Sequence, residues 1–229
     1  MSDQNMDRRK LARKVWLRLG MMVPVWLIVF MLPAGTLAYW QAWLYLAILI
    51  VPMVLAFVYF LKHDPELLER RMRTREQRSE QRAVIKAMSL FFIVVFLVPG
   101  FDQRFGWSSV PVAIVLVTDL VVLLAYGLFL LVLRENSYAA RTIAVDEGQK
   151  VIDTGPYAIV RHPMYVAVLV MYGLAPLALD SYWALIPAAG IVPLLVWRIV
   201  DEEKALTSDL AGYAEYCERV RYRLIPRIW

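Results

Sequence analysis

A motif in the C-terminal half contains the residue types best suited to chemistry. Residues 155–165 read GPYAIVRHPMY, so an arginine and a histidine directly precede a proline. Pro163 suits the first position of a helix, and it disfavours helical backbone at His162. The free N–H groups of this helix start, with Arg161 and His162 beside them, would form an anion site for a carboxylate or phosphate. The alternative is a basic membrane anchor before a proline-initiated helix.

A second charged motif follows the last hydrophobic run and reads WRIVDEEKAL over residues 197–206. On a continuous helix, Arg198 and Glu202 share a face because they are four residues apart. Glu203 is turned by about 100° from Glu202 and would meet a different partner. One glutamate could therefore hold Arg198 or Arg161 while the other meets a cationic ligand. The alternative is a charged helix end at a membrane interface.

One ionisable residue lies inside a hydrophobic run. Asp119 is near the middle of the fourth run, where a charged group costs about 2.5–3.5 kcal/mol on insertion scales. Such a residue suggests either a function or a hydrogen bond between packed helices, for example to Thr118. We assign it no catalytic role.

The composition identifies an integral membrane protein. Of the 229 residues, 60% are hydrophobic and 20% are charged, with a mean hydropathy of +0.54. A soluble domain has about 45–50% apolar and about 25% charged residues, so a disordered, collagen-like or ordinary cytosolic protein is excluded. The single cysteine excludes an intrachain disulfide and a cysteine-based zinc site. With only two histidines, no metal site is predicted.

The elements that must position these motifs are membrane helices. Residues 19–61 lack charge over 43 positions, enough for about two spanning helices of about 20 residues each. Four further apolar runs follow. We therefore predict an all-α membrane protein with six transmembrane helices, or five helices and an irregular hairpin. The further runs are Val84–Gly100, Phe105–Leu133, Pro163–Leu179 and Ser181–Trp197.

The basic residues predict the orientation. Of the 25 lysines and arginines, 24 lie in four hydrophilic segments that six spanning helices place on one side, and Arg104 is the exception. The positive-inside rule makes that side cytoplasmic, so both termini are expected in the cytoplasm and the protein in the cell (inner) membrane. The net charge of +5 then suits anionic lipid headgroups better than nucleic acid. The N-terminus shows no cleaved signal-peptide pattern.

The order of motifs in residues 136–229 resembles the isoprenylcysteine carboxyl methyltransferase family, whose core is shared with phospholipid N-methyltransferases. The resemblance rests on Gly-Pro-Tyr, Arg-His-Pro-x-Tyr, an apolar hairpin, Arg-x-x-x-Glu-Glu-x-x-Leu, Tyr-x-x-Tyr and Arg-Leu-Ile-Pro. It implies two parts: N-terminal membrane helices over residues 1–133, with a basic segment at 62–86, and a catalytic core over 134–229. Family members often have glycine where this chain has Ala167, which puts a close helix approach there in doubt.

The resemblance implies that S-adenosylmethionine binds at the cytoplasmic membrane surface and leaves as S-adenosylhomocysteine. The helix start at Pro163 could take its carboxylate, and Glu203 its ammonium or a ribose hydroxyl. Arg198 is implied to orient the acceptor, and Arg161 and Glu202 complete the candidate catalytic residues. The implied cofactor contacts are Gln149, Lys150, Val151, Ile152, Tyr157, His162, Pro163, Met164, Tyr165 and Glu203.

The expected activity is methylation of a lipophilic acceptor, with membrane lipids as the other partners. An isoprenylcysteine-like carboxylate is already ionised near pH 7, whereas a lipid amine must first lose a proton. A membrane sterol reductase using NADPH is an alternative, although it should have extra basic contacts and lack the glutamate pair. A non-catalytic membrane scaffold is a third possibility. The acceptor and the oligomeric state are not predicted.

Overall fold

The regular elements in the described part of the chain are all helical. The computed structural model describes the backbone of residues 2–72, 79–139, 145 and 148–229, and their side chains except those of 2–8, 72 and 79–88. The elements are α1 Ser2–Ala34, α2 Trp40–His63, α3 Pro65–Met72, α4 Ser79–Phe105, α5 Val112–Glu135, a 3-10 helix Gly155–Ala158, α6 Pro163–Ala178, α7 Leu185–Ala189, α8 Ile191–Asp209 and α9 Tyr213–Arg219.

Three of these helices are long and apolar enough to cross a membrane. They are the Arg9–Ala34 part of α1, α2 and α5, while α6 is a shorter apolar helix of 16 residues. The membrane character is confirmed, and the count of six spans stays a prediction.

The last predicted span is not one helix. Within Ser181–Trp197, α7 covers five residues, and α8 begins at Ile191 and runs on into the charged motif. Pro193 has no N–H to donate to the carbonyl four residues earlier, so the helical ladder is interrupted between α7 and α8.

An aromatic cluster joins α1, α2, α4 and α6. Phe96 is the centre of the cluster, with Trp26 at 4.9 Å and Phe30 at 5.8 Å between ring centroids, both edge-on. The helices α1 and α4 cross closely at Gly100, where a Cβ would lie 2.8 Å from the Pro33 side chain. Glycine is therefore required at this crossing.

Ala167 is fully buried, so alanine at this position of α6 is accommodated in the packing.

Side-chain hydrogen bonds tie the loops together at the end of the bundle where α4 and α6 end. The fully buried Asp102 accepts hydrogen bonds from the hydroxyls of Ser108 (2.6 Å) and Ser181 (2.5 Å). Asp180 accepts from Gln41 Nε2 (2.8 Å) and from a backbone N–H of the α4–α5 loop (2.5 Å). We call these five residues the loop network.

Two acidic residues outside the charged motifs have different environments. Asp64 caps α3, since its carboxylate accepts the Leu67 N–H at 3.0 Å. Asp119 is buried, and neither of its carboxylate oxygens has a hydrogen-bond partner among the described residues, so the packing bond to Thr118 is not found.

Several predicted cytoplasmic positions lie outside the described residues: Arg73, Arg75, Arg78 and Arg141, and the side chains of Arg8, Arg82 and Lys86.

Candidate functional site

A cavity lies where α5 ends, α6 begins and α8 leaves the bundle, covered by α9. It holds about 850 Å³ of empty space including its open mouth. Eleven of the thirteen predicted site residues line it, so both motifs contribute to one site. These eleven are Gln149, Lys150, Val151, Ile152, Tyr157, Arg161, His162, Met164, Tyr165, Arg198 and Glu202.

The first motif is held in place by the C-terminal segment. The backbone N–H groups of Arg161 and His162 donate to the carbonyls of Tyr222 (2.9 Å) and Arg223 (3.0 Å). As predicted, α6 begins at Pro163 and His162 has non-helical backbone, with φ −125° and ψ 59°.

The predicted anion site at the start of α6 is weaker than the sequence indicated. The N–H groups of Tyr165 and Val166 both donate to the His162 carbonyl, at 3.0 and 3.2 Å. Pro163 itself does not line the cavity. The positive charge at this place therefore comes mainly from side chains.

Glu203 lies behind the cavity wall at the centre of a buried ion cluster. One carboxylate oxygen is 3.0 Å from Arg161 Nε and 3.2 Å from His162 Nε2, and the other accepts from Arg223 Nε at 2.8 Å. Burial raises the pKa of Glu203, but the hydrogen bonds from His162 and Arg223 and the charge of Arg161 outweigh burial and lower it overall. Glu203 thus anchors the first motif, and its predicted direct contact with a cofactor stays a prediction.

Tyr165 connects the two charged residues of α8 that line the cavity. Arg198 Nε donates to the Tyr165 hydroxyl at 2.9 Å, and this hydroxyl donates to Glu202 at 2.5 Å. The prediction that Arg198 and Glu202 share a face is confirmed, as is the different direction of Glu203. The glutamate that faces the cavity is Glu202.

The Tyr157 side chain forms part of the wall between α5 and α9. Asn136 donates to its hydroxyl at 3.0 Å, and the Tyr216 hydroxyl donates to its carbonyl at 2.8 Å. Burial, opposed in part by the Asn136 hydrogen bond, raises the pKa of Tyr157 to about 12. The phenol therefore stays protonated near neutral pH.

Several cavity residues were not predicted from the sequence. The helical spacing of Tyr213 and Tyr216 indicated only a buried helix face, whereas both also line the cavity. The buried Tyr213 hydroxyl has no hydrogen-bond partner among the residues that the structure describes. Arg223, which contacts Glu203 behind the cavity wall, was also not predicted as a site residue. Its place in the Arg-Leu-Ile-Pro motif did not indicate this contact. The other unpredicted lining residues are Asn136, Tyr138, Ala139, Leu206 and Leu210.

Comparison with known proteins connects this site to one family. Residues 115–208 match the model of the isoprenylcysteine carboxyl methyltransferase (ICMT) family. The matched residues run from α5 to the end of α8 and include both charged motifs, while α9 and Arg223 lie beyond them.

The chain is also similar to a sterol reductase. It is 34% identical over 92 residues to the Delta(14)-sterol reductase TM7SF2 of Mus musculus. The alignment covers 38% of this chain and 22% of the reductase, so the chain spans under a quarter of that relative's length. The sequence offered the enzyme class of this relative as an alternative.

Proposed function

We propose that this membrane protein is an S-adenosylmethionine-dependent methyltransferase that acts on a lipophilic acceptor. The preferred acceptor is an isoprenylcysteine-like carboxylate, which becomes a methyl ester, and the second is a lipid amine. The observation that carries the proposal is the shared cavity of the two charged motifs, with Arg198 and Glu202 joined through Tyr165 on its wall.

The cavity suits a ligand that carries both signs of charge. S-adenosylmethionine has a sulfonium, an ammonium and a carboxylate, and the wall offers the carboxylate of Glu202 as well as the cations of Arg161 and Lys150. The cofactor would be held by the segment 149–152 together with Tyr157, His162, Met164 and Tyr165.

The cofactor supplies an electrophilic methyl group, so the protein's main task is alignment for in-line transfer. Arg198 would pair with an acceptor carboxylate, for which its planar guanidinium is suited. Tyr165 would fix the Arg198 side chain through their hydrogen bond. A carboxylate acceptor requires no general base, whereas for an amine acceptor Glu202 is the carboxylate that could receive the proton.

The proposed setting is the cell membrane, with six spans and both termini in the cytoplasm. The cavity would then open at the cytoplasmic surface, since it lies at the end of the bundle where α2 and α5 end in basic residues. An amphiphilic acceptor would reach it from the lipid side.

The test is methyl transfer by detergent-purified protein from radiolabelled S-adenosylmethionine to S-farnesyl-N-acetylcysteine or to phosphatidylethanolamine. We expect a product that releases labelled methanol in base, which identifies an ester. Arg198→Ala should lower turnover more than S-adenosylhomocysteine affinity, while Arg219→Ala, in an exposed ion pair, serves as the control. Base-stable labelled lipid would move the assignment to N-methylation, and no transfer to either acceptor would contradict the proposal.

The reductase alternative is favoured by the sterol reductase similarity alone. Against it stands Glu202, a carboxylate on the cavity wall that would repel the phosphates of NADPH. NADPH oxidation coupled to reduction of a sterol Δ14 double bond by the same preparation would establish the alternative.

A further inference from the structure

The short helix α3 lies against the segment that follows α5. Asp64 fixes both parts, since one of its carboxylate oxygens accepts the Leu67 N–H at 3.0 Å and the other accepts the Ser137 hydroxyl. Leu67 is fully buried, in one apolar cluster with Phe60 and Ala139. One face of α3 is therefore packed into the protein, although half of the residues of this helix are charged.

Two arginines in the last turn of α3 hold this segment by its backbone. Arg70 Nη1 donates to the Ser137 carbonyl at 3.0 Å, and Arg71 Nη1 donates to the Ala139 carbonyl at 3.1 Å. The Arg70 guanidinium also lies over the Tyr138 ring, 4.9 Å from its centroid. Hydrogen bonds from a charged donor are stronger than those between neutral groups. The segment is thus held from α3 at three consecutive residues.

The residues that α3 holds belong to the cavity wall. Tyr138 and Ala139 line the cavity, and so does Met164, whose sulfur is 3.9 Å from Arg71 Nη1. Neither Arg70 nor Arg71 is itself among the described residues that line it. The two arginines therefore contact the wall from behind, and they act on a ligand only through the wall.

We propose that α3 sets the position of the cavity wall at the cofactor, with Arg70 and Arg71 as positioning residues for Tyr138, Ala139 and Met164. This inference rests on the proposed methyltransferase function and deepens it. The helix α3 lies before the part of the chain that matches the family model. A wall that is held in place before the ligand arrives lowers the cost of binding, because fewer groups must be ordered on association.

The chain offers matched variants of α3. Arg71→Met keeps an apolar stem but removes the cation and the donor to the Ala139 carbonyl, whereas Arg71→Lys keeps a cation with N–H donors. Arg70→Met is an independent second variant because it removes the donor to the Ser137 carbonyl. Glu66→Gln is the control, since its ion pair with Arg70, at 3.4 Å, is exposed.

The experiment measures two quantities on folded, detergent-purified protein: S-adenosylhomocysteine affinity by calorimetry, and amide hydrogen exchange in residues 136–139 by mass spectrometry. The N–H groups of Tyr138 and Ala139 donate to Asn136, so their exchange reports release of this segment. In Arg71→Met we expect about tenfold faster exchange and about tenfold weaker affinity, the effect of losing one hydrogen bond from a charged group.

The other variants separate positioning from stability. Arg70→Met should change both quantities in the same direction, and Arg71→Lys should restore both to within about threefold of the unmodified protein. Glu66→Gln should change neither quantity. A role in stability alone would lower the unfolding temperature of Arg71→Met but leave the affinity of its folded fraction unchanged, and this result would overturn the proposal. Equal losses of affinity in Glu66→Gln and Arg71→Met would overturn it as well.

Hydrogen exchange also separates this proposal from the proposed function. If no variant binds S-adenosylhomocysteine, the unmodified protein included, while exchange is faster in Arg71→Met, the methyltransferase function is contradicted and the hold of α3 on the wall stands. If S-adenosylhomocysteine binds equally well to the unmodified protein and to Arg71→Met, the positioning role of α3 alone is contradicted.

Discussion

The two ends of the helical bundle both bury charged side chains, but in different ways. In the loop network, Asp102 accepts hydrogen bonds from two serine hydroxyls and Asp180 accepts from Gln41, so the protein itself supplies the donors. At the other end, Glu203 contacts Arg161, His162 and Arg223 directly behind a cavity wall. The cavity itself is lined by charges of both signs, among them Glu202 and Lys150.

The difference separates a structural network from a binding site. Buried polar groups in proteins are nearly all hydrogen-bonded, and a network that satisfies its carboxylates internally needs no ligand. A cavity whose wall has the carboxylate of Glu202 and the cation of Lys150 is instead suited to a ligand. The two ends should therefore respond differently to substitution. A substitution in the loop network should change stability alone, whereas a substitution at the cavity should change both stability and ligand affinity.

The largest effect is expected for Glu203→Ala. Removing this carboxylate leaves Arg161, His162 and Arg223 without their shared partner, and breaking a buried ion pair costs about 3–5 kcal/mol. Thermal unfolding in detergent should show this loss, and S-adenosylhomocysteine affinity should fall with it. Asp153→Ala is the control because its pair with Arg219 is exposed and contributes about 1 kcal/mol or less. Equal losses in the two variants would contradict the central role of Glu203.

A smaller effect, on stability alone, is expected for Asp102→Ala. The substitution leaves the donors of Ser108 and Ser181 without their acceptor, at a cost of about 1–3 kcal/mol. Thermal unfolding should report the loss, while the folded fraction should bind S-adenosylhomocysteine with unchanged affinity. A marked fall in affinity would show that the two ends are coupled and would break the comparison.

Tyr213→Phe tests the unpartnered hydroxyl. If this group contacts the cofactor, its removal should weaken S-adenosylhomocysteine binding about two- to tenfold, the value of one hydrogen bond, without lowering stability. Tyr39→Phe is the matched control: its hydroxyl donates to the Leu179 carbonyl at the far end, so stability should fall and affinity should not. Unchanged affinity in calorimetric titration of Tyr213→Phe would remove this hydroxyl from the site.

The smallest effect is a pH dependence of stability. Because the pKa of Glu203 is lowered in the folded protein, its stabilisation is complete above its ordinary value of 4.5 and is lost as the pH falls below that value. Between pH 5 and pH 3, the unfolding temperature should therefore decrease more for the unmodified protein than for Glu203→Gln. Parallel decreases would mean that Glu203 does not contribute to the pH dependence.

Much of this arrangement could be predicted from local pattern. Hydropathy indicated the helices, Pro163 marked the start of α6, and the four-residue spacing put Arg198 and Glu202 on one face. These features depend on residues near one another in sequence. The break between α7 and α8 falls in the region that the alternative of an irregular hairpin covered, but its position was not predicted because hydropathy does not register a lost N–H donor.

The partners of the charged groups could not be predicted from one sequence. Glu203 and Glu202 are adjacent and chemically identical, and the sequence did not show that Glu203 would meet Arg223, twenty residues away. In the same way, the Tyr165 hydroxyl joins α6 to α8 across 37 residues of sequence. Periodicity gives the direction of a side chain from its own helix, whereas tertiary packing decides what it meets.

The most direct test of the account is calorimetric titration of the detergent-purified protein with S-adenosylhomocysteine, with NADPH in a parallel cell. We predict saturable binding of S-adenosylhomocysteine that is lost in Glu203→Ala and retained in Asp102→Ala, and no binding of NADPH. Binding of NADPH alone to folded protein would contradict the account and assign the cavity to a reductase.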